Sequence, residues 1–172
     1  MLTMLLASDG EGIASKLSGF YATHILSDQL DRFECHRDVN LISFDWHDVK
    51  RPLEKSTRVL IYFDAKDIVF LFEDQAALEA AGALLRDPPG GAPTIATNPG
   101  EQALYRFFYG LIKCDTDSLE ALEEEIICTE DGILSSPKRQ MSHAFARLRR
   151  TLFVLKRYYE QLNTIFEGLV EN

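Results

Sequence analysis

The sequence predicts an α/β protein in which a β-sheet covered by helices is followed by a long antiparallel pair of helices. Within residues 1–86, short runs of β-branched and aromatic side chains alternate with helical segments, which is typical of a sheet packed between helices. Within residues 99–172, two long segments repeat apolar residues at steps of three and four, which indicates long amphipathic helices. Residues 87–98, rich in proline and glycine, are the candidate linker between the two parts.

Local patterns predict each element of the first part. In chain order these are an edge strand over 1–7, a strand over Tyr21–Leu26, a short helix capped by Ser27 that runs through Phe33, a strand over Asn40–Trp46, strands over Arg58–Phe63 and Ile68–Phe72, and a helix over Gln75–Arg86. The runs 58–63 and 68–72 are almost continuously apolar, so both strands should be buried on two faces. The polar link Asp64–Asp67 has the length of a hairpin connection.

Capping signals delimit the helices of the second part. Asn98-Pro99-Gly100-Glu101 combines an N-cap, a first-turn proline and a capping glutamate. The helix that starts there should run to Asp131, because Gly132 is a natural stop. Gly110 inside it predicts a kink or a break, since glycine costs about 1 kcal/mol relative to alanine in a helix. Ser136-Pro137 repeats the cap-plus-proline signal and begins the last helix.

The last helix, residues 136–172, carries a heptad seam, because its apolar residues follow alternating steps of four and three. The seam consists of Met141, Phe145, Leu148, Leu152, Leu155, Tyr159, Leu162, Phe166 and Leu169. The preceding helix, residues 99–131, offers a matching stripe that Asp115 interrupts: Leu104, Phe108, Leu111, Leu119, Leu122 and Ile126. A short turn between two such helices requires them to run antiparallel.

Composition excludes several classes of protein. The 172 residues include 18 Lys plus Arg against 27 Asp plus Glu, a net charge of −9, which opposes binding to nucleic acid. No stretch reaches the roughly 18 consecutive apolar residues that span a bilayer, and the N-terminus lacks the basic leader of a secretory signal. The three cysteines are widely spaced, as reduced thiols of a cytoplasmic protein would be. We therefore expect this chain alone to be soluble and cytoplasmic.

An acidic segment is the candidate site for cations. Eight acidic residues and no basic residue lie between Asp115 and Asp131. Asp117, Glu120 and Glu124 fall on one helical face, and their oxygens could hold Mg²⁺ or another hard divalent cation weakly. One helix supplies a row of carboxylates rather than converging ligands, so a tight metal site is not predicted and no cofactor is required. The alternative is an ordinary solvated face, with the basic residues of the next helix forming salt bridges beside the seam.

The histidines predict no further site. Cys35 and His36 are neighbours that point to opposite faces of a regular element, without a CxxC or HxxxH motif, so zinc binding and Cys–His catalysis are not predicted. His24, His47 and His143 stand alone and are interpreted as structural or surface residues. No GxSxG, P-loop or GxGxxG motif is present, so the sequence predicts no catalytic residue and no enzyme.

The helical part resembles a known family. The residues that carry the resemblance are Ser118–Ile126, Glu130–Leu134, Leu148–Leu152 and Lys156–Leu162. They are similar to the cytoplasmic domain of the CorA family of divalent-cation transporters, and the order of strands in the first part is similar too. The resemblance implies an α/β/α sandwich with a mixed sheet, followed by an acidic helical hairpin. It also implies five subunits around a pore, which cations bound between cytoplasmic domains hold closed.

The family's transmembrane helices and its Gly-Met-Asn motif do not occur in this chain. Two interpretations follow: a soluble piece of a transporter, or a stand-alone cytosolic relative without a pore. The first is favoured, because the heptad helix reaches residue 172 without a C-cap. The predicted function is a regulatory domain of a Mg²⁺ or Co²⁺ transporter at the cytoplasmic face of the membrane, which would attach through a missing C-terminal region. The alternative is a soluble interaction module that uses the hairpin. We expect this chain alone to be a monomer or weak dimer.

Overall fold

The computed structural model describes residues 1–27, 29–88, 91, 93–94, 98–135 and 139–171, and it describes no side chain within 133–142. The Ser136-Pro137 helix start, the side chain of Met141 and half of the linker therefore lie outside the described residues. The elements of the described chain are β1 (Leu2–Leu6), α1 (Gly10–Lys16), α2 (Gly19–His24), β2 (Phe33–His36), β3 (Val39–Trp46), β4 (Thr57–Asp64), β5 (Ile68–Phe72), α3 (Gln75–Arg86), α4 (Pro99–Ser135) and α5 (Arg139–Glu171).

The strands form one mixed sheet in the order β1-β5-β4-β3-β2. β1 pairs parallel with β5, and the other pairs are antiparallel. β4 and β5 form the predicted hairpin, and the Asp64 carboxylate closes its turn by accepting the Asp67 backbone N–H at 2.8 Å. The edge position of β1 is also confirmed.

Both faces of the sheet are covered, which gives the α/β/α sandwich that the resemblance implied. On one face, alternate residues of β3, β4 and β5 pack against α3, α4 and α5 in the larger core, which includes Ile42, Phe44, Val59, Ile61, Phe70, Phe72, Phe107, Leu111, Leu155, Tyr158, Leu162 and Ile165. On the other face, the intervening residues meet α1 and the residues after α2 in a second core: Ile13, Leu17, Ile25, Leu30, Val39, Leu41, Leu60, Tyr62, Val69 and Leu71. The predicted burial of two strands on both faces is confirmed. The division at residues 87–98 stays a prediction, and the helices after it share the larger core with the sheet.

The two long helices run antiparallel, as predicted. Three contacts join the helices: the rings of Phe108 and Phe166 are 5.2 Å apart, the Tyr159 hydroxyl donates a hydrogen bond to Asp115, and Arg147 forms an ion pair with Glu125. Residue numbers rise along α4 while those of the partners on α5 fall, which is the pattern of antiparallel helices. The 37 residues of α4 correspond to about 55 Å of helix. Only part of this length contacts the sheet.

The predicted heptad seam accounts for only part of the buried face of α5. Leu148, Leu155 and Leu162 are buried, but the seam residues Phe145 and Leu152 are 54% and 45% exposed. Tyr158 and Ile165 are fully buried outside the seam, because near the C-terminus α5 packs against the sheet as well as against α4. That larger contact requires a wider apolar face than a two-helix seam provides.

The predicted strand over 21–26, the predicted helix end at Phe33 and the predicted helix stop at Gly132 were wrong. Residues 21–24 belong to helix α2 rather than a strand, and Phe33 begins strand β2 rather than ending a helix, because it pairs with Ile42 of β3. Gly110 does not break α4, which is one continuous helix over Pro99–Ser135, and a kink there stays a prediction. A Cβ atom there would lie 3.2 Å from the Leu84 side chain, so this glycine permits the close approach of α3 and α4. Helix α4 also continues past Gly132.

Candidate functional site

The predicted cation ligands lie on the solvent-facing side of α4. Asp117, Glu120 and Glu124, called the acidic face below, are all exposed. They lie beyond Leu111, a buried α4 residue of the larger core, on either side of Leu122, which is only partly buried against that core. Their ligand atoms do not form a compact group: among the described residues, the only set of three or more potential ligands within 4.8 Å of one another lies elsewhere. The acidic face therefore offers a row of carboxylates, suited to loosely held, hydrated cations.

Next to the acidic face, one carboxylate is already neutralised. Glu125 forms an ion pair with Arg147 of α5, which is a salt bridge of the kind predicted beside the seam. Both side chains are substantially exposed, so the pair contributes little to stability. Among the ion pairs of the described residues, none joins Asp117, Glu120 or Glu124 to a basic residue of α5.

Asp115 is a buried acid near the middle of the same helix. It is 8% exposed, and the Tyr159 hydroxyl of α5 donates a hydrogen bond of 2.9 Å to its Oδ2. Burial raises the pKa of Asp115 to about 6, the Tyr159 hydrogen bond opposes this rise, and the charge of Asp48 adds to it. Asp115 thus occupies a core position in the apolar stripe of α4, where it is satisfied by a hydroxyl rather than by a cation.

A compact group of potential metal ligands lies on the opposite face of the sheet. It consists of His24, Glu34 and His36, whose ligand atoms lie within 4.8 Å of one another, and we call it the His–Glu–His cluster. Glu34 and His36 are alternate residues of β2, so their side chains share a face, and they pair with Leu41 and Val39 of the second core. His24 approaches the same point from the last turn of α2.

The carboxylate of Glu34 organises this cluster. Its Oε2 lies 2.7 Å from Nε2 of His24 and 3.1 Å from Nε2 of His36, and its Oε1 accepts the Asp31 backbone N–H at 2.9 Å. Burial raises the pKa of Glu34, but the hydrogen bonds from Asp31, His24 and His36 outweigh burial and lower it overall. Glu34 is therefore held as a carboxylate.

Aromatic rings surround the cluster on the α2 side. Phe20 stacks on His24 with ring centroids 5.6 Å apart, and Tyr21 contacts His36 edge-on at 5.5 Å. The three polar side chains retain exposures of 27%, 16% and 31% for His24, Glu34 and His36, so one side of the cluster is open to water. The arrangement is a fixed set of two imidazoles and one carboxylate with room for a further ligand.

Sequence reasoning missed this cluster. The prediction that Cys35 and His36 point to opposite faces is confirmed, because they are consecutive residues of strand β2 and successive side chains of a strand alternate between its two faces. The interpretation of His24 as solitary was wrong, because α2 carries it to β2. A Glu-x-His pattern places both side chains on one face of a strand, and this signal would have been visible had residues 33–36 been assigned as a strand.

Comparison with known proteins supports the fold. No family model and no curated protein matches the sequence. Among solved structures, the soluble domain of CorA from Methanocaldococcus jannaschii is similar with a TM-score of 0.63 and 19% identity over 90% of this chain. The ZntB cytoplasmic domain from Vibrio parahaemolyticus RIMD 2210633 is similar with a TM-score of 0.62 and 14% identity over 95% of this chain. This chain spans 62% and 65% of those two chains.

The chain therefore has a CorA-like cytoplasmic-domain fold, as the sequence resemblance predicted: a mixed five-stranded sheet with helices on both faces. Across the described residues, no helix combines the length and the apolar character that crossing a membrane requires.

Proposed function

We propose that this chain is the cytoplasmic regulatory domain of a CorA-type divalent metal ion transporter, which senses cytosolic cation and gates the pore. The observation that carries the proposal is the fold, which is similar to two transporter cytoplasmic domains over at least 90% of the chain. The transported ion that the resemblance implies is Mg²⁺ or Co²⁺. The proposed role is regulatory rather than enzymatic.

The acidic face is the proposed cation sensor. Its three carboxylates are exposed and lie in a segment of eight acidic residues without a basic one. When several copies assemble, such faces on neighbouring subunits would repel one another, and a cation between them would relieve the repulsion. Loss of the cation would restore the repulsion and shift the equilibrium between conformations. Because exposed carboxylates hold hydrated Mg²⁺ weakly, the response belongs in the range of cytosolic Mg²⁺ rather than of trace metals.

Sedimentation velocity with and without Mg²⁺ tests this proposal. We expect Mg²⁺ to increase the sedimenting mass of the chain, and NaCl of equal ionic strength to have no such effect, because screening alone does not bridge subunits. The variant D117N/E120Q/E124Q should lose the response.

A matched control removes the same charge elsewhere. Glu11, Glu79 and Glu101 are exposed and lie outside the acidic segment, so the variant E11Q/E79Q/E101Q should respond to Mg²⁺ like the original chain. A chain indifferent to Mg²⁺, or two triple variants with the same response, would contradict the proposed sensor.

The second candidate function is a stand-alone interaction module. It is favoured by large apolar side chains that remain exposed where the hairpin extends beyond the larger core, namely Leu119, Ile127, Phe145, Leu152 and Phe153. The partner we propose for these side chains is the same surface of a second copy. Self-association that is abolished by F145S/L152S and indifferent to divalent ions would favour this candidate over the cation sensor.

A further inference from the structure

We propose that the His–Glu–His cluster binds one transition-metal ion of the Zn²⁺ class through Nε2 of His24, Nε2 of His36 and a carboxylate oxygen of Glu34. This site lies on the α1–α2 face of the sheet and is separate from the acidic face of α4. The inference does not rest on the proposed function, since it concerns an ion held by a single copy of this chain.

The separations between the ligand atoms match a tetrahedral ion. Zinc binds imidazole nitrogen and carboxylate oxygen at about 2.0–2.2 Å, which places neighbouring ligand atoms about 3.4 Å apart. Oε2 of Glu34 lies 2.7 Å from Nε2 of His24 and 3.1 Å from Nε2 of His36. The ligands need to separate by less than about 1 Å to admit the ion, which small rotations of three partly exposed side chains provide.

The hydrogen bonds within the cluster bring both Nε2 atoms to the same carboxylate oxygen of Glu34. A carboxylate oxygen is only an acceptor, so both Nε2 atoms donate to it. When the ion binds, each Nε2 gives up this proton: a neutral imidazole then carries its ring proton on Nδ1, a doubly protonated one releases a proton to water, and Nε2 presents its lone pair to the ion. The Asp31 N–H continues to hold Oε1 of Glu34, as outer hydrogen bonds do for ligating carboxylates.

The donor set selects the class of metal. Two nitrogen ligands and one carboxylate suit Zn²⁺, Co²⁺, Ni²⁺ and Cu²⁺, whereas Mg²⁺ prefers oxygen ligands and keeps its water. The open side of the cluster leaves a fourth position to water. The single carboxylate offsets part of the ion's charge, and the rings of Phe20 and Tyr21 shield one side of the cluster, which strengthens the interaction.

The test measures metal binding to the full chain in which the three cysteines are changed by C35S, C114S and C128S. All three thiols are exposed and outside disulfides and would otherwise compete for the metal. Co²⁺ serves as the optical probe. We expect one Co²⁺ per chain with the intense visible bands of a four-coordinate site, displaced by an equal amount of Zn²⁺ and unaffected by a large excess of Mg²⁺.

Variants then locate the ion. E34Q and H36A should each weaken Zn²⁺ binding at least about tenfold, because the loss of even an outer partner of a metal ligand typically costs 10–100-fold. H143A is the matched control, since His143 is exposed on α5, and it should bind Zn²⁺ unchanged. Far-ultraviolet circular dichroism checks that each variant is folded.

A second measurement needs no ligand variant. Imidazole nitrogen NMR resolves the four histidines of the chain, and stoichiometric Zn²⁺ should shift the Nε2 signals of His24 and His36 while leaving those of His47 and His143 in place. Absence of Co²⁺ bands in the cysteine-free chain, binding that E34Q and H36A leave unchanged, or displacement by Mg²⁺ would each overturn the inference.

Discussion

Replacing Asp115 by asparagine should stabilise the protein at neutral pH. The carboxyl group is 8% exposed, and burial raises its pKa from 3.8 to about 6. Each unit of pKa corresponds to about 1.4 kcal/mol, so the ionised form costs the folded state up to about 3 kcal/mol. Asparagine carries no charge and retains an oxygen that can accept the Tyr159 hydroxyl. D115N should therefore gain up to about 3 kcal/mol in free energy of unfolding near pH 7.

The sign of the pH dependence follows from the raised pKa. Between about pH 4 and 6 the folded state binds a proton at Asp115 that the unfolded state has released, so stability falls as pH rises through this window. Above it both states are ionised and the full cost remains, whereas below it both states are protonated and the cost disappears. The advantage of D115N should thus be large near pH 7 and small near pH 4.

Urea unfolding followed by circular dichroism, at both pH values and with a chelator present, measures this difference. The midpoint of thermal unfolding should rise by roughly 2–4 °C per kcal/mol gained. D117N is the matched control, since Asp117 is exposed on the same helix and its change should stay within about 0.5 kcal/mol. A D115N chain that is no more stable than the original near pH 7, or whose gain is independent of pH, would refute this reasoning.

Two further predictions concern packing and capping. G168A should lower the free energy of unfolding by about 1–3 kcal/mol, because its Cβ would lie 2.3 Å from the Phe33 ring. G82A is the control: the nearest atom to its Cβ is the Met4 methyl at 3.8 Å, so it should raise the free energy of unfolding by about 0.5–1 kcal/mol. Equal effects in paired denaturant titrations would contradict the close contact of α5 with β2. D74A should cost about 1 kcal/mol, because the Asp74 carboxylate caps α3 through the Ala77 N–H at 2.8 Å and that bond lowers its pKa. The loss of stability in D74A should be present above the pKa of Asp74 in the unfolded chain, near 4, and should vanish as pH falls through the lower pKa of Asp74 in the folded chain. A loss of stability that persists in strong acid would count against the cap.

The parts of the fold that the sequence predicts well are those with local causes. Helix α3 begins and ends as predicted, and α4 begins at Pro99, because capping side chains and prolines fix these limits within a few residues. The Asn98 side chain accepts the Gly100 N–H at 2.8 Å. The β4–β5 hairpin is equally local, since its turn is closed by Asp64.

The errors occur where a distant partner decides the conformation. Residues 33–36 form a strand because they pair with β3, and the residues adjacent to Phe33 in the sequence do not reveal this pairing. The His–Glu–His cluster depends on the same pairing, so it was missed together with β2. The sequence shows Asp115 as an interruption of the apolar stripe of α4, but only the antiparallel contact reveals that Tyr159 satisfies it.

Hydrogen exchange along α4 during a Mg²⁺ titration tests the proposed cation sensor most directly. Backbone amides within 117–125 should become more protected as the Mg²⁺ concentration rises. The variant D117N/E120Q/E124Q should abolish this change, and E11Q/E79Q/E101Q should retain it. Exchange within 117–125 that is unaffected by Mg²⁺, or protected equally in both triple variants, would contradict the claim that this face senses the cation.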